Sequence, residues 1–127
     1  MSEATTRGIR VQVESTYLPE RSVPSERQFL FTYRVRVANL GDEAATLVSR
    51  RWLITDGDGR THVVEGPGVI GEQPHLAPGE AFEYSSYCPL PTPVGTMEGT
   101  YAMVTDAGES FDARIAPFFL AVPGAVN

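Results

Sequence analysis

At 127 residues the chain is long enough for one domain that buries about two thirds of its unfolded surface, so neither a disulfide nor a metal is needed to fold it. A net charge of −6, an isoelectric point near 4.8 and ten arginines without one lysine argue against nucleic acid and against an anionic membrane, both of which are bound by clustered basic side chains. The single cysteine, Cys88, excludes an internal disulfide and points to a reducing compartment.

Residues 1–7 are small and polar and read as a flexible N-terminus, with no apolar stretch of the kind a secretion signal needs. No apolar run approaches the roughly 18 residues of a membrane span, and the expected location is cytoplasmic. Residues 8–127 read as a single domain. From Gly8 the period is two: Ile9, Val11 and Val13 alternate with Arg10, Gln12 and Glu14, as in a half-buried strand. Tyr17-Leu18-Pro19 ends that strand. In the next, Phe29, Phe31, Tyr33, Val35 and Val37 share one face, and Thr32, Arg34 and Arg36 the other. Asn39-Leu40-Gly41-Asp42 turns the chain. A strand over 45–55 meets Asp58-Gly59, a strong hairpin signal, and returns over 60–65.

Residues 66–75 form a loop punctuated by glycine and proline, and Ala77-Pro78-Gly79-Glu80 is a further turn. Phe82, Tyr84 and Ser86 alternate with Glu83, Ser85 and Tyr87 in the strand that follows. Strands over 95–105 and 110–122 then flank Asp106-Ala107-Gly108. About seven or eight strands at roughly ten-residue spacing, with no helical period, predict an all-β antiparallel sandwich. The immunoglobulin-like architecture is expected in its fibronectin type III-like form, because the inter-sheet disulfide cannot form.

One run of residues carries a resemblance. Ser49-Arg50-Arg51-Trp52-Leu53-Ile54-Thr55-Asp56 leads to Glu65-Gly66-Pro67-Gly68-Val69-Ile70-Gly71-Glu72-Gln73-Pro74, then to Leu76-Ala77-Pro78-Gly79-Glu80 and Gly95-Thr96-Met97-Glu98-Gly99-Thr100-Tyr101. With Pro117-Phe118 and Leu120-Ala121-Val122-Pro123 near the end, this order resembles the ApaG family over about residues 9–123. That is a family of small bacterial proteins which also occurs as a domain in eukaryotic F-box proteins. The resemblance implies a fibronectin type III-like sandwich. It implies an association by name with cobalt and magnesium efflux and by gene neighbourhood with a diadenosine-tetraphosphate hydrolase, and no catalytic activity. Members usually carry Gly where this chain has Tyr87, which implies a differently shaped loop before Thr92-Pro93.

Gly66-Pro67-Gly68-Val69-Ile70-Gly71 matches the spacing G-x-G-x-x-G. A dinucleotide fingerprint needs a helix after those glycines, and Pro74 and Pro78 exclude one. Two readings remain for Gly66, Gly68 and Gly71: a nest of backbone N–H groups for a phosphate, or a tight loop, which is preferred. Arg50 shares strand parity with Val48, Trp52 and Ile54; it either binds an anion or, as preferred, pairs with a carboxylate and stacks on an aromatic ring. Trp52 reads as core. Asp56-Gly57-Asp58-Gly59 fails the calcium-loop pattern, and a hairpin explains both aspartates. His62 and His75 lack zinc spacing, Ser85-Ser86 lacks a nucleophile elbow, and Cys88 reads as an inert buried thiol.

The expected function is a non-catalytic binding or adaptor module with a protein partner, as a monomer or homodimer, without cofactor, metal site or catalytic residue. The alternative is a binder of a nucleotide or polyphosphate such as diadenosine tetraphosphate, through Arg50 and the 66–71 loop.

Overall fold

Period-two alternation builds nine strands in the computed structural model, which describes residues 1–125: β1 (Ser2–Thr6), β2 (Ile9–Tyr17), β3 (Phe29–Asn39), β4 (Ala45–Asp56), β5 (Thr61–Pro67), β6 (His75–Leu76), β7 (Ala81–Leu90), β8 (Val94–Thr105) and β9 (Ser110–Ala121). The last two residues of the expected 8–127 domain lie outside the described residues. One sheet runs β1-β2-β3-β7; the other runs β5-β4-β8-β9, with β6 beside β4, and every pairing is antiparallel. The all-β sandwich expected from the spacing is the fold. Two single-turn 3-10 helices, Pro19–Arg21 and Pro24–Glu26, lie between β2 and β3, each opened by a proline. No described helix is long and apolar enough to cross a membrane.

The alternating residues of β2 and β3 do what their period predicts. Ile9, Val11, Val13, Phe31, Tyr33, Val35 and Val37 are buried, each large apolar side chain stabilising the fold by about 1.5–3 kcal/mol. On the opposite face Arg34 and Arg36 grip the two oxygens of Glu83 at 2.6 and 3.0 Å. The hydrogen bonds from Arg34 and then Arg36 hold the Glu83 carboxyl below the usual carboxylate range.

Three features depart from the sequence reading. Residues 1–7 are not a flexible end: Ser2–Thr6 pairs with β2, turned by Arg7 and Gly8 at φ 46° and 81°. Ser-Glu-Ala-Thr-Thr has no apolar alternation to reveal an edge strand. Its order comes from neighbours, as the Arg114 N–H donates to Thr6 Oγ1 at 3.1 Å and Arg7 pairs with Glu43 at 3.2 Å. The strand count also rises to nine through β1 and the two-residue β6, both too polar or too short to show a period.

The third departure is a bulge. Leu47 pairs with Met103 but Ser49 with Ala102, so Val48 is an extra residue in β4 and the inward parity switches behind it. Ala45 and Leu47 face the core ahead of the bulge, and Trp52 and Asp56 are buried after it. Val48 therefore does not share a regular parity with Trp52. A second bulge, at residues 116–117 of β9, lets Pro117 sit where the ladder is already broken.

The sandwich is sealed on one side only. β1 and β2 pack against β9, where the Ser15 hydroxyl donates to the Phe119 carbonyl at 2.7 Å. On the other side β5 and β7 are the free edges of their sheets, and the gap between them is the open mouth of the core.

Candidate functional site

The sequence singled out Arg50, Gly66, Gly68 and Gly71, and the fold brings the first three together. Arg50 points inward from β4 and lies across Gly66, whose added Cβ would stand 2.9 Å from the guanidinium. Its Nη1 donates to the carbonyls of Pro67 and Gly68 at 3.1 and 3.0 Å. No described carboxylate lies within 4.0 Å of Arg50, and no described ring stacks on it. The preferred reading of Arg50 was therefore wrong in both parts. The loop's own carbonyls took the place of the carboxylate.

The glycine loop is a miniature hairpin. The Val69 N–H donates to the Glu72 carbonyl and Glu72 returns the bond, at 2.8 and 2.9 Å, around Ile70 and Gly71 at φ 43° and 80°. Positive φ at both central positions is the type I′ pattern. The Gly68 N–H is spent on the Val48 carbonyl at 2.7 Å. Two N–H groups of the candidate nest, those of Gly68 and Val69, are thus donated within the chain. The hairpin buries Val69 completely and leaves Ile70 exposed at the tip. Gly71 is at the tip too, away from Arg50, with nothing within 4 Å of an added Cβ.

Beyond Arg50 lies the feature that residue-by-residue reading missed, a cleft of about 370 Å³ between β5 and β7. Its floor is the inward row of β4: Arg50, Trp52, Ile54 and Asp56. Leu90, Met97 and Val64 supply apolar walls, and Tyr33 and Ser86 line it from the other sheet, the Tyr33 phenol partnered by the Ser86 hydroxyl and within the field of Arg50. Trp52 is core, as expected, packed edge-on against Tyr101 and Phe118 at 6.2 and 6.0 Å. Its Nε1 nevertheless has no hydrogen-bond partner, and neither has Oδ2 of the buried Asp56. Behind the cleft the hydroxyls of Tyr84 and Tyr101 bond to each other. Burial raises all three phenols, Tyr33, Tyr84 and Tyr101, while the field of Arg50 opposes the rise. A signal for this cluster was available: three tyrosines at inward strand positions, each with a hydroxyl that needs a partner once buried.

The remaining candidates have structural roles. Asp56 Oδ1 accepts from the Asp58 and Arg60 N–H groups at 2.9 and 3.1 Å, which closes the Asp58-Gly59 hairpin as expected. His62 stands on the cleft rim, and His75 pairs with Asp106 at 2.9 Å. Cys88 is buried, and burial pushes its thiol up to about 11. Tyr87 sits within β7 rather than in a loop, its exposed ring covered by the Arg21 guanidinium 5.1 Å away. Among the described residues no three His, Cys, Asp or Glu side chains are placed to hold a metal ion.

Comparison with known proteins agrees with this framework. A family model described as the ApaG domain matches residues 19–105. Protein ApaG of Anaeromyxobacter sp. (strain K) is 59% identical over 127 residues, covering 100% of both chains. Protein ApaG of Caulobacter vibrioides is 55% identical over 123 residues, 97% of this chain and 88% of that one. A crystal structure of a Bordetella pertussis protein carrying the name ApaA superposes with a TM-score of 0.89 at 51% identity, covering 96% of each chain.

Proposed function

The chain belongs to the ApaG family, and on that premise we propose that it is a non-catalytic, cytoplasmic binding domain that takes a protein partner along β5. The observation that supports this reading is the state of that strand. β5 is an edge, and six of its seven residues are exposed, Val63 and Val64 among them. Free strand edges are normally blunted by lysine, proline or a covering element. The chain has no lysine, and the one proline of β5 is its last residue. By contrast β1 is covered by β9, and β7 carries Pro89 and the Glu83 ion pairs.

A peptide strand added to β5 would extend the sheet through main-chain hydrogen bonds and seat alternate side chains on either face. Val63 would lie on the outer face and Val64 toward the cleft. Loop geometry gives the nucleotide alternative less support, since the Gly68 and Val69 N–H groups of the 66–71 hairpin are donated within the chain. The same edge limits self-association to a monomer or a homodimer. The test is capture from soluble extract of the source cells with the tagged chain and with Val63→Lys, read by mass spectrometry, alongside light scattering. A partner retained by the wild type and lost by the variant supports the reading. Equal capture by both places the partner elsewhere, and an assembly larger than two copies reveals a second interface.

A further inference from the structure

The cleft holds an imbalance between donors and acceptors. Arg50 uses only Nη1, leaving Nη2 and Nε without acceptors, and among the described residues no carboxylate lies within 4.0 Å of it. Trp52 is 2% exposed and its Nε1 is unpartnered. The Tyr33 phenol, which has the Ser86 hydroxyl for a partner, stands within the field of Arg50. A buried donor without an acceptor is destabilising, and so is a half-buried guanidinium without a counter-charge. An unpartnered side-chain acceptor, Asp56 Oδ2, lies six residues along β4 from Arg50, roughly 20 Å away at the rise of a strand.

We propose that the cleft is a binding site for a small apolar monocarboxylate, its carboxylate at the Arg50 end and its hydrocarbon part between Ile54, Val64, Leu90 and Met97. The carboxylate brings the counter-charge and the lone pairs that Arg50 lacks, with the Tyr33 phenol beside it. At about 370 Å³ the space is near the lower end of small-molecule pockets, and its apolar walls disfavour a polyphosphate. Asp56 repels an anion from the opposite end and so fixes the direction of the ligand.

Trp52 is the one tryptophan, so its fluorescence reports on the cleft alone. The test titrates the full chain with 3-phenylpropionate and, separately, with 3-phenylpropionamide, which has the same shape without the charge. A saturable change with the acid, and at least about tenfold weaker binding of the amide, is expected from losing charge-assisted hydrogen bonds. Arg50→Gln keeps a donor for the loop carbonyls but removes the charge, and should weaken the acid by a similar factor. Tyr33→Phe removes one hydroxyl, leaves the ring packing intact, and should weaken it several-fold; it decides the matter if the Arg50 variant unfolds. A terminally blocked glutamate peptide should not compete, being too broad for the cleft. Equal binding of acid and amide, no saturation, an unchanged Tyr33→Phe, or full competition by the peptide would each overturn the assignment.

Discussion

Replacing Gly68 by Ala tests the account of the glycine loop, because the three glycines there fail for different reasons. At Gly68 the backbone has φ 56°, and a Cβ would stand 2.0 Å from the Glu72 carbonyl oxygen. The left-handed conformation alone costs an alanine about 1–2 kcal/mol. The clash cannot be relieved by a side chain, since the obstacle is backbone. Relief must break either the Val69–Glu72 pair or the Gly68–Val48 bond, about 1–3 kcal/mol for a buried hydrogen bond. If Val69 then leaves the core, up to about 3 kcal/mol more is lost. The expected total is about 2–5 kcal/mol with Val69 still buried and up to about 8 kcal/mol if it leaves the core, with the melting temperature falling by several degrees per kcal/mol. Gly71→Ala has φ 80° and nothing within 4 Å, so only the backbone term of about 1–2 kcal/mol applies. Gly66→Ala meets the flexible end of Arg50, so it should displace that side chain at little cost in stability. Urea unfolding followed by Trp52 fluorescence measures all three. A Gly68→Ala variant no less stable than Gly71→Ala would refute the steric argument.

Alkaline pH should unfold the protein through its buried phenols and thiol. Cys88 titrates at about 11 against its ordinary 9.0, and Tyr33, Tyr84 and Tyr101 are raised above 10.0. The unfolded chain releases these protons first, so stability is full below about pH 9 and is lost as pH rises toward and past 11. Denaturation at stepped pH should show that slope, flattened in Tyr101→Phe. The Cys88 thiol should ignore a disulfide reagent at pH 8 in the native protein and react fully in urea, and Cys88→Ala should leave partner capture unchanged. Asn39→Ala should cost about 2–4 kcal/mol by calorimetry, because the buried amide serves the Glu43 and Leu76 carbonyls and the Gly41 N–H at 2.7, 2.9 and 3.0 Å.

Strands with one buried face were plain in the sequence, since Phe31, Tyr33, Val35 and Val37 can sit only one way against a core. The Asp58-Gly59 turn was plain for a similar reason, having one local solution. β1 was not visible, because an edge strand of Ser, Glu, Ala and Thr is ordered by neighbours distant in sequence. Of the candidate site, Arg50 and the loop could be named but not their relation. A strand and a loop 16 residues apart meet only through the β4–β5 register, which pairs Arg50 with Gly66. The cleft was invisible for the same reason, being a property of two sheet edges.

The bulge at Val48 ties these pieces into one construction. It reverses the inward parity of β4 ahead of Arg50, so a row that begins at Arg50 and ends at Asp56, with Trp52 and Ile54 between, follows an apolar row from Ala45 to Leu47 on the same strand. The Val48 carbonyl also accepts from the Gly68 N–H and from Gln73 Nε2 at 2.7 and 2.9 Å, which anchors both limbs of the glycine hairpin. The hairpin in turn offers the Pro67 and Gly68 carbonyls that hold Nη1 of Arg50 and leave Nη2 and Nε without acceptors. Regular pairing through Val48 would place Val48 and Arg50 on one face, which is what the parity of the sequence suggested. A single extra residue instead sets a charged group at the mouth of an apolar core and supplies the loop that steadies it. The three glycines of the G-x-G-x-x-G segment thus answer to different demands: Gly66 to the Arg50 guanidinium that lies across it, Gly68 to a left-handed backbone pressed against the Glu72 carbonyl, and Gly71 to the positive φ of the hairpin tip.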